Sequence, residues 1–163
     1  MAELTNIESK LAEVLGLAMA AKDSTRKVQG LVDDEDLAKR LERMHDEAAE
    51  TEQRCSELAG GLDGKKTAIL EQAREKRREA VEMMETYLGG ESDPLDGFEF
   101  LTMAEAGEVG HWEIVGKMAE RAELPGLRPL VEWALPIQER HLREARESAL
   151  ALAGAEDPNA AAD

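Results

Sequence analysis

The amino-acid sequence predicts an all-α protein, and three observations point there. Aromatic residues make up only 3% of a chain that is 42% hydrophobic. That hydrophobic share is dominated by Ala, Leu, Val and Met, which favour helix over sheet. The long segments between glycine and proline breaks carry apolar residues at spacings of three and four, the period of an amphipathic helix. Charged residues form 34% of the 163 and lie in those same segments. The architecture expected is an antiparallel four-helix bundle with one additional connecting helix. A single domain over 1–153 is followed by an acidic tail, 154–163, expected to be disordered.

The first helix is expected over 3–22, where Leu4, Ile7, Leu11, Val14, Leu15 and Ala18 recur at helical spacing. Glu8 interrupts that stripe, either as a carboxylate reaching water at its edge or as an inward ligand. Residues 23–33 are polar, contain Gly30 and read as a connection, with or without an extra turn of helix, and Asp33 or Asp34 is placed to cap the next helix. The second helix, 35–59, carries the stripe Leu37, Leu41, Met44, Ala48, Thr51, Cys55 and Leu58. His45 and Glu52 flank it on one side, Glu47 and Arg54 on the other, and Glu47 and Glu50 lie one turn apart. Which flank faces the bundle centre is left open.

Gly60-Gly61-Leu62-Asp63-Gly64 ends that helix. A third helix, 65–88, has a modest apolar side of Ala68, Ile69, Ala73, Ala80, Met84 and Leu88. Its Lys76-Arg77-Arg78 cluster reads as a solvated face with intrahelical ion pairs. Asp93-Pro94 starts a fourth helix with Pro at its first position, and Leu124-Pro125-Gly126 follows its end near Ala122. The last helix, 127–152, places Leu130, Ala134, Ile137, His141, Ala145 and Ser148 on one side. Pro136 lies mid-helix, where a kink is expected.

The chemistry concentrates on the fourth helix. Leu101, Glu108, Val115 and Ala119 share a face, and His111 stands one turn after Glu108, beside it. Burying an unpaired carboxylate is costly, so a metal ion, a basic partner or a hydrogen-bond network is expected to compensate it. His141 sits in the stripe of the last helix, with Gln138 one turn before it. The candidate metal ligands are Glu8, Glu47, Glu50, Glu108, His111 and His141, with His45 an alternative on the second helix. Carboxylate oxygens and imidazole nitrogens suit iron, manganese or zinc.

The formal net charge of −16 argues against a nucleic-acid or anionic-membrane partner, both of which need a basic face. The lone cysteine, Cys55, falls on an apolar stripe and reads as a buried, inert thiol in a reducing cytoplasm. Met1-Ala2-Glu3-Leu4 lacks a basic region and an apolar run, so no signal peptide or membrane span is expected. Trp112 and Trp133 are expected at helix–helix contacts or at a subunit interface. Nothing in the chain has the form of a phosphate loop or a nucleophile–base set.

Three stretches carry a family likeness: Glu50-Thr51 with Arg54 and Leu58, Gly64-Lys65-Lys66, and Asp93-Pro94 through His111-Trp112-Glu113-Ile114. The last is similar to a His-Tyr-Glu-Ile segment. On these the chain resembles the ferritin-like superfamily, nearest the small YciE/YciF-type bacterial stress proteins. The resemblance implies a cytoplasmic homodimeric bundle with a di-iron site and a role in oxidative or general stress. Ferritin-like bundles hold two metal ions by Glu from two helices and Glu-x-x-His from the other two. Here the second-helix His of the family falls on Glu47, and the Glu before its third-helix His falls on Gly110. The last helix shows Gln138-Glu139-Arg140-His141. One or two ions of iron or manganese, an altered site, and a bundle interaction protein with no metal site all stay open.

Overall fold

The computed structural model describes residues 2–162 and consists of five helices: α1 (Asn6–Gln29), α2 (Glu35–Gly60), α3 (Lys66–Tyr87), α4 (Pro94–Ala119) and α5 (Leu127–Ala155). No strand occurs among the described residues. The helix starts are encoded locally. Thr5 and Glu8 close a reciprocal capping box on α1, Asp34 caps α2, and Asp93 and Asp96 form a second box on α4 behind Pro94. Gly126, at φ 89°, supplies the left-handed residue that turns the chain into α5.

α1 is longer than the sequence suggests. The polar string 22–27 looks like a loop, yet Ser24 and Thr25 are buried. Their hydroxyls donate back to Ala20 O at 3.0 Å and Ala21 O at 2.7 Å, so the helix satisfies its own polar groups there. Val28 continues the buried face. At the other end α5 continues through Ala155, past the expected end at 152, and Pro136 lies within it with helix on both sides.

Helix α1 packs on α2, α3 and α4, while α5 packs on α4 and α2. The helices α1, α2, α5 and α4 therefore close a four-membered ring, and α3 lies outside it against α1. Side-chain contacts give the directions. On α2 and α5, Arg40 meets Ser148 while Glu47 meets Arg140. On α4 and α5, Gly116 lies against Val131 while Glu105 meets His141. On α1 and α4, Gly97 lies against Val28 while His111 meets Glu13. Each of these pairs is antiparallel. By contrast Ser9 meets Gln72 and Asp23 meets Arg77, so α3 runs alongside α1. Helices α2 and α4 occupy opposite corners and point the same way. The chain between them has to return the length of the bundle, and α3 is that return.

Two apolar clusters fill the ring. One gathers Leu11, Leu15, Cys55, Ile69, Trp112 and Leu127; the other gathers Val28, Leu41, Met44, Phe98, Leu101 and Ala145. Each large side chain buried there contributes about 1.5–3 kcal/mol. Burial and the nearby Glu52 charge push the Cys55 thiol up to about 12, so it is inert as expected. Trp112 is in the core, and Trp133 packs on the α2–α5 seam under the Arg54 guanidinium, 4.0 Å from the ring centre. Both indoles thus sit at helix contacts.

Helices α1 and α3 approach most closely at Gly16, where an added Cβ would stand 2.4 Å from Ala73 O and 2.7 Å from Lys76 Cβ. Gly16→Ala should destabilise the protein by about 1–3 kcal/mol through overpacking. Gly110, with nothing within 4 Å of its added Cβ, should instead gain about 0.5–1 kcal/mol as Ala. Urea unfolding followed by circular dichroism measures both, and the opposite order would refute the close approach.

Candidate functional site

On α4 the buried residues Leu101, Glu105, Glu108, Trp112 and Val115 alternate by four and three. On α5 the buried residues Ala134, Gln138, His141 and Ala145 do the same. Because the two helices are antiparallel neighbours, their polar members meet at one level. That level lies between the two apolar clusters. Glu105 and His141 are 1% exposed, Gln138 1% and Glu108 4%, so all four are withdrawn from water. Opposite them α1 offers Ala18 and Ala21, and α2 offers Ala48 and Thr51, all buried. Thr51 spends its hydroxyl on Glu47 O at 2.9 Å.

His141 joins the layer to the α2 seam. Its Nδ1 is 3.7 Å from Glu105 Oε2 and its Nε2 is 3.4 Å from Glu47 Oε1. Glu47 also accepts from the Arg140 guanidinium and has Arg43 Nε at 3.7 Å. Oε2 of Glu105, Oε2 of Glu108 and both amide atoms of Gln138 have no hydrogen-bond partner. Such unpartnered buried polar atoms are rare and costly.

The three carboxyls differ sharply in protonation. Burial raises Glu105 to about 7, with the His141 charge opposing. Burial raises Glu108 well above the usual carboxylate range, and the Glu105 charge adds to this. Burial pushes Glu47 up as well, but hydrogen bonds from His141 and Arg140 outweigh it and hold the group down at about 2. Glu47 is therefore a fixed charge, whereas the α4 pair holds protons near neutrality.

The expected ligands divide. Glu108 and His141 lie in the buried layer, with Glu47 at its α2 edge. The Glu47 flank of α2 faces α5, while Glu52 on the other flank pairs with Lys22 of α1 at 2.9 Å, so the stripe between the flanks faces the bundle centre. His45 lies on that other flank, 3.3 Å from Asp46. Glu8 lies elsewhere. It accepts from Thr5 N at 2.8 Å and pairs with Lys65 at 3.3 Å, and the Thr5 backbone bond leads in holding its carboxyl low. Glu50 is exposed and paired with Arg54 at 2.8 Å. His111 is partly exposed; its Nδ1 is 2.8 Å from Gly107 O and its Nε2 is 3.6 Å from Glu13 Oε2. Of the cluster expected from Glu108, His111 and His141, His111 lines a cavity together with Glu108 and turns its ring to Gly107 O and Glu13, while His141 stands on the α5 side of Glu105.

One residue of the layer, Glu105, escapes a sequence reading that follows Leu101, Glu108 and Val115 on α4. It lies on the intervening step of the four-three alternation. Gln138 is visible beside His141 but carries no charge to mark it. Among the described residues no group of three or more His, Cys, Asp or Glu is spaced to hold a metal ion, and no helix is long and apolar enough to cross a membrane. No protein-family model matches the chain, and neither curated proteins nor solved structures give a match to it.

The donor chemistry of the layer is that of a hard or borderline cation site, with carboxylate and amide oxygens and an imidazole nitrogen. It falls short of the two-ion pattern. Beside Glu105 and Glu108, α1 presents Leu17, Ala20, Ala21 and Ser24 and no carboxylate, Glu47 is engaged by Arg140, and Gln138 stands where a carboxylate is needed.

The protonation states make stability depend on pH. The folded-state values of Glu105 and Glu108 lie above the ordinary 4.5. The unfolded chain therefore releases these protons first, and stability is lost as pH rises from 4.5 towards and beyond neutrality. Glu47 works in reverse, its contribution being lost as pH falls from 4.5 towards 2. For Glu105 alone the loss up to pH 7 is on the order of 3 kcal/mol. Urea unfolding of the metal-free protein at about pH 5 and about pH 8 should show the lower stability at the higher pH. In Glu105→Gln/Glu108→Gln the difference should largely vanish; an unchanged difference would place its origin elsewhere.

Proposed function

We propose that this chain is a metal-binding helical bundle of the ferritin-like kind, with one divalent ion held by Glu105, Glu108, Gln138 and His141. One observation carries the reading: two buried carboxyls, one turn apart, each have an unpartnered oxygen, and the buried His141 imidazole stands 3.7 Å from that of Glu105. A divalent cation would satisfy both oxygens and replace the protons that burial otherwise forces on them. Binding requires the side chains to close on one another, since three of them do not yet stand at ligand spacing.

The topology supports the ferritin-like part of the reading. Two parallel helices on opposite corners, joined by a segment spanning the bundle, are what a four-helix bundle with one long crossover requires. Iron or manganese as the ion, a homodimer, and a role in oxidative or general stress complete the proposal. When bound, such an ion supplies Lewis-acid or redox chemistry inside a dry core. The ligand set proposed departs from the sequence expectation by leaving Glu8 and Glu50 outside and bringing in Glu105 and Gln138.

A second reading takes the layer as a metal-free network in an interaction or stress protein. It is favoured by His141, both of whose ring nitrogens already face carboxylates. Such a network would fix the register of α2, α4 and α5 without any ligand.

Titration of chelator-treated protein with Fe²⁺, Mn²⁺ and Zn²⁺ separates the two. Metal binding to the folded form should raise Tm. Glu108→Ala and His141→Ala should each weaken it about tenfold or more, equivalent to ~1.4 kcal/mol, while Glu8→Ala and Glu50→Ala should leave it unchanged. No shift with any ion, or equal affinity in all variants, would discard the metal reading in favour of the network.

A further inference from the structure

A groove of about 230 Å³ opens between α1, α3 and α4. It exists because all three helices place small residues along it: Ala20 on α1, Ala80 on α3, and Ala104 and Gly107 on α4. Leu17 and Met83 complete largely apolar walls. At the rim Met83 and Met103 are 57% and 41% exposed. Glu105 and Glu108 line the buried inner end.

Each has one fully buried carboxyl oxygen without a hydrogen-bond partner, that of Glu105 lying 3.7 Å from His141, so meeting an occupant of the groove takes a turn of both carboxyl groups. Nothing basic in the groove serves them. Lys76, the one lysine lining it, is engaged by Glu79 at 2.8 Å. His111, at the rim, is directed to Gly107 O and Glu13. His141 approaches Glu105 from α5 and does not line the groove. An apolar passage ending on unpartnered carboxyls calls for an occupant with a compact hydrocarbon body and one cationic head.

We propose that this groove binds a small primary amine, its apolar body between α1, α3 and α4 and its ammonium donating to Glu105 and Glu108. The ammonium carries three donors and a charge, and a carboxyl that meets it releases its proton to solvent. An alcohol brings one donor and no charge; a carboxylate is repelled. The size is adequate, since an apolar cavity of roughly 150 Å³ in another protein takes up benzene. The inference rests on the same pair of acids as the metal reading, so a divalent ion and an amine compete for the site.

Calorimetric titration in the presence of EDTA, with benzylamine, benzyl alcohol and benzoate as probes, tests the amine alone. Benzylamine should bind at least about tenfold more tightly than benzyl alcohol, and benzoate should not bind. Glu105→Gln/Glu108→Gln should reduce benzylamine to the level of the alcohol. Ala80→Leu fills the groove from its partly exposed wall; it should abolish binding of both while leaving the helical dichroism and the response to Mn²⁺ intact. Equal affinity for amine and alcohol, or undiminished benzylamine binding in Ala80→Leu, would overturn the proposal. Mn²⁺ binding without benzylamine binding would sink this inference alone, and benzylamine binding without any metal response would sink the metal reading alone.

Discussion

Two glutamates buried one turn apart in the middle of α4 set the terms for the rest of the bundle. A core of this size would be more stable with leucines at those positions, because transfer of a carboxyl from water without full hydrogen bonding is unfavourable. The apolar clusters on either side offset that cost, and they also enlarge it. By excluding water they lower the local dielectric, and charge on Glu105 or Glu108 becomes harder to sustain. The interior therefore favours the protonated form of the pair unless a cation arrives. A polar layer between two apolar ones also penalises any slip of α4 against α5, since a shift of one turn would set a carboxyl among Trp112, Leu127 and their neighbours.

The α2–α5 seam shows the opposite solution for an acid. Glu47 is only partly withdrawn from water and meets Arg140, Arg43 and His141 together. Its charge is therefore retained, and removing one partner would leave the others unbalanced. The exposed pairs on the outer faces, Lys39–Glu35 and Lys117–Glu120 among them, contribute little by comparison. Three acids within one neighbourhood thus have two distinct roles. Glu47 is committed to the guanidinium of Arg140, whereas Glu105 and Glu108 are free to exchange a proton for another cation. His141 stands between the two systems and couples them.

What was legible in the sequence followed from local physics. Four-three stripes and capping residues located all five helices, because both act within a turn or two. The misplaced end of α1 came from counting Ser24 and Thr25 as loop formers, when a helix can bury them by bonding them to its own carbonyls. The roles of Glu8 and Glu50 were also local and could have been read. Thr5-x-x-Glu8 is a capping box by spacing, and Glu50 precedes Arg54 by one turn; each acid had a partner before any tertiary contact was considered. The flank of α2 that faces α5 was not legible, since it depends on how two stripes pack. Nor was the groove, which needs small residues from three separate helices to meet.

On the metal reading proposed above, charge balance limits the layer to one ion. With Glu47 committed to Arg140, only Glu105 and Glu108 can offset positive charge there, and His141 and Gln138 bring none when neutral. Two ionised carboxylates and one divalent ion sum to zero. A second divalent ion would leave an uncompensated double charge in a low-dielectric core, a state whose desolvation cost no neutral donor repays. An ammonium obeys the same rule by a different route, since it balances one carboxylate and leaves the other acid holding its proton. A divalent metal and an organic ammonium, the two occupants proposed above, thus each keep this interior neutral. The alanines that α1 and α2 present at the same level fix that limit, because an acid at Ala18, Ala21 or Ala48 would add the charge a second ion requires.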